Sequence, residues 1–450
     1  MDTHSLSATL ADYILQVDYA KLPARVVELA RLSFLDWLGS ALAGSREIPG
    51  KMFLELENEL GGNPQATLIS EDKKTSVISA ALVNGGLSHI VELDDVHKAA
   101  ILHPAAPIMP AALAVAEWKD ADGKKLIEAI VAGYDVALRI GEAVTPSHYR
   151  YWHTTGTCGT FGAAAAAGKV LGLNRPQLIY ALGNAGTQAA GLWEFLADGA
   201  MSKHLHPGKA AMNGVLAALL AAREFTGASK ILEGEKGFFK ATAQTVKEEL
   251  ITEQLGEKFK IEENCFKIYA SCRHTHPAVD VALKLVGEHG ILAKEIQQVI
   301  VETYSIALEV TGRYHPISSY AAKFSLPYCM ALALTVGELG LPQFSEEYLK
   351  REDLHQLMSK IELSVDPVFD ARYPEAWPAR VRIVTGRGVF SASTDYPRGD
   401  PENPVTAAEL QTKFLSLAAP VIGSVAAEEM ARRVLETDKL NPVGQLFADI

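Results

Sequence analysis

The feature that most limits what this chain can fold into is a helical spacing of apolar residues that runs through its first 260 positions and then gives way to a mixed pattern. Val26, Leu29, Ala30, Phe34, Trp37, Leu38 and Ala41 recur at steps of three and four, with Pro23 near the first turn and Gly44 after the last. That is the pattern of an amphipathic helix with its start and stop signals. The same spacing predicts helices over 75–89, 107–118, 124–143, 161–171, 176–191 and 208–224. Several are built from Ala and Gly, as in FGAAAAAG (161–168) and GVLAALLAA (214–222). Side chains this small let helix axes approach closely, so a tightly packed multi-helical bundle is expected.

The texture changes near residue 263. IQQVIVETY (296–304), KIELSV (360–365) and RVRIVTGRGVFSAST (380–394) are rich in β-branched residues, and the last carries a Gly-containing hairpin connection. Helical patterns at 277–289 and 323–338 interrupt these strands, and 406–436 return to helical spacing after the turn-rich DYPRGDPENP. The expected fold is mainly α with an α+β second domain. It is discontinuous, with a helical domain over 1–262 and 405–450 and an α+β lid domain over 263–404.

Composition removes several function classes. With 48% hydrophobic and 21% charged residues over 450 positions, the chain has enough core to need neither disulfides nor a structural metal. Its four cysteines form no CxxC pair, which argues against a zinc ribbon, a thioredoxin-like site or a cubane cluster. A formal net charge of −12 speaks against general nucleic-acid binding, though a local basic pocket for an anionic small molecule is compatible with it. The apolar stretch 99–118 is broken by Pro104, Pro107 and Pro110, so no membrane span is read. The first residues lack the basic and apolar regions of a secretory signal, and the cytoplasm is the expected location.

Four segments concentrate ionisable residues beside turn signals. VELDDVHKAAILHP (91–104) carries Glu92, Asp94, Asp95, His97 and His103, which suit proton transfer or a helix cap equally well, while their spacing matches no metal motif although His and Asp are good ligands. YRYWHTTGTCGTFGAAAAAG (149–168) holds His153 before a helix start, and its glycines fit close backbone approach better than a nucleotide loop. MSKHLHPGKAAMNG (201–214) places Lys203, His204, His206 and Lys209 just before a long helix, where cations oppose the helix dipole unless an anion joins them. FKIYASCRHTHPAVD (266–280) clusters Lys267, Arg273, His274 and His276 ahead of another helix. The His274/His276 pair lacks a third ligand at diagnostic spacing, so zinc is the poorer reading. Tyr328, in YAAKFSLPYCM (320–330), sits on a largely apolar helix, where Tyr more often packs than reacts. Together the basic and imidazole-rich segments suggest a pocket for a small polycarboxylate.

Taken in order, these stretches resemble the MmgE/PrpD family, whose activities include 2-methylcitrate dehydratase, cis-aconitate decarboxylase and iminodisuccinate epimerase. The matching runs are LSFLDWLGSALAGS (32–45), ALVNGGLSHIVELDD (81–95), HPAAPIMPAALAVAEW (103–118), WHTTGTCGTFGAAAAAGKVLGL (152–173), MSKHLHPGKAAMNGVLAALLA (201–221), CRHTHPAVDVAL (272–283), AKFSLPY (322–328) and YPRGDPENP (396–404). The chain departs from the family pattern at Val96, where Thr or Ser is common, and at Thr154, where Pro commonly follows the His. The resemblance implies a helical domain with an α+β lid, a homodimer, and catalysis without metal or organic cofactor. It assigns site membership to Asp94, Asp95, His103, His153, Lys203, His206, Lys267, Cys272, Arg273, His276 and Tyr328.

The family's activities share one need, to form or quench a carbanion-like species beside a carboxylate. On that basis His103 and His153 are the expected acid/base groups, with Asp94 or Asp95 orienting an imidazole or acting directly. Lys203, Lys267, Arg273 and His276 are expected to bind carboxylates and stabilise charge, with His97, His206 and Cys272 among the substrate-binding residues. Tyr328 donates a proton if its hydroxyl reaches the cleft. A 2-methylcitrate dehydratase-like hydro-lyase is the leading expectation, with a decarboxylase or epimerase beside it. A catalytically silent dimeric polyacid-binding protein is the alternative of another class. These residues come from distant stretches, so one shared substrate requires them to converge on one cleft.

Overall fold

The computed structural model describes residues 4–71 and 73–448. The chain divides into two compact units, one of Met1–Ile90, Asp94–Asn264 and Thr406–Ile450, the other of Val91–Leu93 and Cys265–Val405. No described helix is long and apolar enough to cross a membrane.

The first unit is helical. Helix Ser202–Ala221 packs against Thr154–Val170, Val77–Ser88, Arg175–Gly186 and Ala105–Trp118, and Gly123–Val144 also packs on Thr154–Val170. Local signals fix the helix starts: the side chains of Ser76 and Asp122 accept the N–H groups of Ser79 and Lys125, and Asn174 with Gln177 forms a reciprocal capping box. The small residues set where the axes cross. A Cβ built on Gly85 would stand 2.9 Å from the Gly208 Cα, and one on Gly156 would stand 2.7 Å from the Ala190 carbonyl oxygen. The first contact brings the end of helix Val77–Ser88 to the first turns of Ser202–Ala221. The second brings the start of Thr154–Val170 beside the segment around Ala190. A Cβ on Gly156 would also stand 3.2 Å from His206 Cβ, so three helix ends that carry imidazoles are drawn together by absent side chains.

The C-terminal residues return to this unit through helices Ala407–Ile422 and Ser424–Leu435, which pack on Ala24–Gly44. Lys413 reaches Asp36 at 2.6 Å, with the carboxylate fully buried, and Phe414 lies against Gly39.

The second unit holds a four-stranded sheet in the order Ile361–Val365, Ile296–Thr303, Ala379–Thr385, Gly388–Thr394. The first pair is parallel and the other two are antiparallel. Alternate residues of Ala379–Thr385 are buried, the period-two pattern of a strand with one covered face. Helix His276–His289 packs on the hairpin and on helix Leu326–Thr335. Mainly α with an α+β part is the fold class that the sequence pattern predicts.

Candidate active site

Four imidazoles of the first unit form a cluster. His89 ends helix Val77–Ser88 as its C-cap and His153 occupies the N-cap of Thr154–Val170 without making a capping bond. His206 lies in the second turn of Ser202–Ala221, and His103 lies two residues before Ala105–Trp118. Ring centroids are 4.8 Å apart for His89 and His103, 5.5 Å for His89 and His153, and 5.3 Å for His153 and His206. Trp193 stands edge-on to His153 at 5.0 Å, and Phe195 is 5.8 Å from His206. His103 keeps 14% of its side chain exposed and His89 none.

Hydrogen bonds fix several of these rings. His89 Nδ1 lies 2.6 Å from Asp94 Oδ2, and a carboxylate oxygen can only accept, so that nitrogen carries the proton. His103 Nδ1 lies 2.6 Å from the Asp95 main-chain oxygen and donates to it, with Asp94 Oδ2 3.5 Å away. The main-chain N–H of His103 is held by Thr155 Oγ1 at 3.1 Å. His153 Nδ1 and His206 Nδ1 share one proton across 3.1 Å.

Burial and mutual proximity keep two of these rings neutral. Burial, then the neighbouring His206, His89, Lys203 and His103, hold His153 well below its ordinary value. Burial, with His89, Lys203 and Lys209, brings His206 down to about 4. Neutral imidazoles beside a buried lysine can take up protons and accept hydrogen bonds, while Lys203 offers positive charge for a carboxylate.

Asp95 behaves differently from its neighbour. Its carboxylate accepts from Tyr134 Oη at 2.7 Å, Asn264 Nδ2 at 2.6 Å and the Ala105 N–H at 3.0 Å. Burial raises it to about 7 despite the Tyr134 bond, with Asp36 and Asp94 adding to the rise. The side chain pins the start of helix Ala105–Trp118 while its carbonyl holds His103.

His97 is not brought to the imidazole cluster by its contacts. Its Nε2 faces Glu142 Oε1 at 3.6 Å and Glu263 Oε2 at 3.4 Å, and its Nδ1 accepts the Ala100 N–H at 3.2 Å. Lys260 bridges the same two carboxylates. Burial would raise Glu263, but hydrogen bonding and charge from His97, with Lys258 and Lys260, carry it below its ordinary value.

Among the described residues, two groups have ligand atoms close enough to one another for a cation, His89 with Asp94 and His103, and His97 with Glu142 and Glu263. In the first, both Nδ1 protons are already given to oxygens, so a metal on those nitrogens would have to displace two short hydrogen bonds. In the second, Lys260 supplies the positive charge.

In the second unit, Lys267 Nζ lies 3.4 Å from Glu92 Oε2, with both residues buried. Glu92 holds a left-handed backbone, φ 59°, an uncommon state for a residue with a Cβ. Lys323 Nζ binds the Val91 carbonyl at 3.0 Å. Arg273 pairs with Asp400 and donates to the carbonyl of Arg398 at 3.1 Å, so the carboxylate it meets is the protein's own. Arg273 Nη1 also donates to His276 Nδ1 at 2.9 Å, and His276 Nε2 lies 3.3 Å from the Ser271 carbonyl. The half-buried Cys272 gives its main-chain N–H to the Lys323 carbonyl. Tyr328 is fully buried and its hydroxyl donates to the Gln343 carbonyl at 3.1 Å. The proton expected to be available for chemistry is committed to the main chain, and Tyr328 packs against Phe344.

Two corrections to the sequence reading stand out. Lys203, His204, His206 and Lys209 do not precede a helix that begins near 208; they occupy the first turns of one that begins at Ser202 and carries Pro207 inside it. And His89, 2.6 Å from Asp94, belongs to the site without any motif that marks it. Its one signal was its place five residues before Asp94 in SHIVELDD.

A helical unit with buried imidazoles around a carboxylate and a lysine defines an acid–base enzyme scaffold. The MmgE/PrpD N-terminal domain matches residues 8–250 and the MmgE/PrpD C-terminal domain matches 269–438. The chain belongs to the MmgE/PrpD family. It is 29% identical to the cis-aconitate decarboxylase of Aspergillus terreus, over 95% of this chain and 92% of the relative. It is 25% identical to the human cis-aconitate decarboxylase, over 97% and 92%. With the mitochondrial 2-methylcitrate dehydratase of Yarrowia lipolytica it shares 24% identity, over 83% and 74%. Decarboxylase and dehydratase are both lyases, and this chain is an enzyme of that type.

Proposed function

We propose that this chain acts on a small tricarboxylate, and that decarboxylation of a cis-aconitate-like acid is the first reaction to test. The observation that carries the reading is the buried His89–His103–His153–His206 cluster with Asp94 and Lys203, in a chain aligned over nearly its full length with relatives named as cis-aconitate decarboxylases. Loss of CO2 leaves an electron pair on carbon. A lysine near the remaining carboxylates stabilises that charge, and an imidazole N–H or a water it holds supplies the quenching proton.

Dehydration of a 2-methylcitrate-like hydroxy acid is the second reading. It is favoured by the Yarrowia relative, and burial leaves His153 and His206 in the unprotonated form that a general base must start from. Lys267, Arg273 and His276 are proposed to serve the same substrate on the strength of family membership. Catalysis is proposed to need no metal, because the Nδ1 atoms of His89 and His103 already donate to Asp94 and to the Asp95 carbonyl. A homodimer is also proposed. It is supported by Ile48, Met52, Leu56 and Leu60, which line one face of helix Ile48–Leu60 at four-residue spacing and are 49–72% exposed.

The test is an NMR product assay with cis-aconitate, 2-methylcitrate, citrate and iminodisuccinate, run with and without EDTA. CO2 release from cis-aconitate supports the first reading and alkene formation from 2-methylcitrate the second. Turnover of no polyacid refutes both and leaves a binding protein.

A further inference from the structure

The Asp94–His89 pair contains an atom that nothing so far accounts for. His89 is fully buried. Its Nδ1 proton is given to Asp94 Oδ2 at 2.6 Å, which fixes the ring and makes Nε2 the nitrogen with the lone pair. Among the described residues, His89 Nε2 has no hydrogen-bond partner. A buried acceptor without a donor is costly, and native proteins rarely keep one without a reason. The ring bearing it lies 4.8 Å from His103 and 5.5 Å from His153, inside the cluster proposed as the active site. The bond to Asp94 accounts for Nδ1, but it leaves the buried Nε2 with no role in packing.

We propose that His89 is a further substrate-binding residue of this site, with Asp94 orienting its ring so that Nε2 accepts a hydrogen bond from an O–H of the bound polyacid, either a hydroxyl or a protonated carboxyl. The arrangement matches the general use of a carboxylate to fix an imidazole's tautomer for work at its other nitrogen. Asp94 thereby acts as a positioning residue, and His89 as the group that touches the ligand. This inference rests on the proposed polyacid reaction, and it names a contact within that site that the sequence motifs did not point to.

The test separates the two nitrogens of one ring. In His89→Asn the side-chain amide keeps a donor near the Nδ1 position and removes the Nε2 acceptor. In His89→Phe both are lost. The expected result for His89→Asn is a melting temperature close to that of the parent, with KM for the turned-over acid raised about tenfold or more. His89→Phe should raise KM as much and also disturb Asp94. Histidine-selective nitrogen NMR supplies a readout independent of turnover: the free enzyme should show His89 with Nδ1 protonated and Nε2 bare, and the Nε2 signal should move when citrate is added. A His89→Asn enzyme with parental KM, or an Nε2 that already carries a proton, overturns the inference. An enzyme that turns over a polyacid while the His89 signal stays fixed retires the contact and keeps the reaction. No turnover of any acid, with the signal still moving on citrate, retires the reaction and keeps the contact. No turnover and no movement retire both.

Discussion

Substituting Gly208 by Ala tests whether the site depends on the helix crossing that assembles it. Gly208 sits inside helix Ser202–Ala221, where Ala ordinarily gains about 1 kcal/mol over Gly. Here the added methyl would collide with the Leu82 carbonyl oxygen and lie 2.9 Å from the Gly86 nitrogen. Both are backbone atoms of the opposing helix, so no rotamer change relieves the overlap and the helices must part. Overpacking of this kind costs about 3 kcal/mol at the upper end of its usual range. The net loss is then about 2 kcal/mol. Parting these helices also separates His89, four residues beyond Gly85, from His206, two residues before Gly208. A displacement of about 1 Å in reacting groups can cost roughly 10²-fold in rate.

Urea denaturation followed by far-UV circular dichroism measures the first quantity, and turnover of the assigned acid the second. Gly287→Ala is the control, because Gly287 lies in helix His276–His289 with nothing within 4 Å of its built Cβ. It should stabilise by about 1 kcal/mol and leave activity alone. Parental stability and rate in Gly208→Ala would refute the crossing as the determinant of the site.

Lys203→Ala and His153→Ala should each lower kcat/KM, measured on the folded enzyme, by roughly 10²-fold or more, and a change below threefold would remove either from the chemistry. His206 and His148 are both held near 4 by burial, against 6.5 for an ordinary histidine. The unfolded chain therefore binds more protons than the folded one between those values, so stability falls as pH drops from about 6.5 to 4, by on the order of 3 kcal/mol for each group. Asp95, raised to about 7, has the opposite sign: its stabilising share is present below pH 4 and is lost as pH rises through 7. Urea midpoints measured from pH 7.5 to 4.5 should show the histidine-driven fall, and His148→Gln should flatten it; an unchanged slope would count against burial as the cause. Met52→Glu with Leu56→Glu should shift light-scattering mass from dimer to monomer at micromolar concentration, whereas an unaltered dimer would place the interface elsewhere.

The helices were legible wherever period and caps agreed. The spacing that predicts 124–143 meets Gly123–Val144, and that for 277–289 meets His276–His289. The helix Ser202–Ala221 starts earlier than its apolar spacing implies and runs through Pro207. Inside a helix it forgoes the bond to the carbonyl four residues back, a loss that the surrounding packing offsets here. His153 was legible because it precedes a glycine-rich helix start. His89 was not, since its link to Asp94 passes through a turn with Glu92 in a left-handed state, and no residue type in HIVELDD demands that geometry. Arg273 shows the converse. Its charge was visible, but the partner that takes it up, Asp400, lies 127 residues away, beyond any spacing rule.

The tripeptide Val91–Leu93 has a consequence for recombination among relatives. It belongs with the second compact unit although it lies deep within the N-terminal family match, and the C-terminal match includes helices that belong with the first. A chimera joined once between residues 250 and 267 would therefore inherit Lys267 from one parent and its Glu92 partner from the other, and would pair Lys413 with a foreign Asp36. Exchangeable modules in this chain are not contiguous stretches. A swap that respects them must carry residues 91–93 along with 265–405 and leave 406–448 behind, so homologous substitutions at Glu92 and Lys267 should travel as a pair.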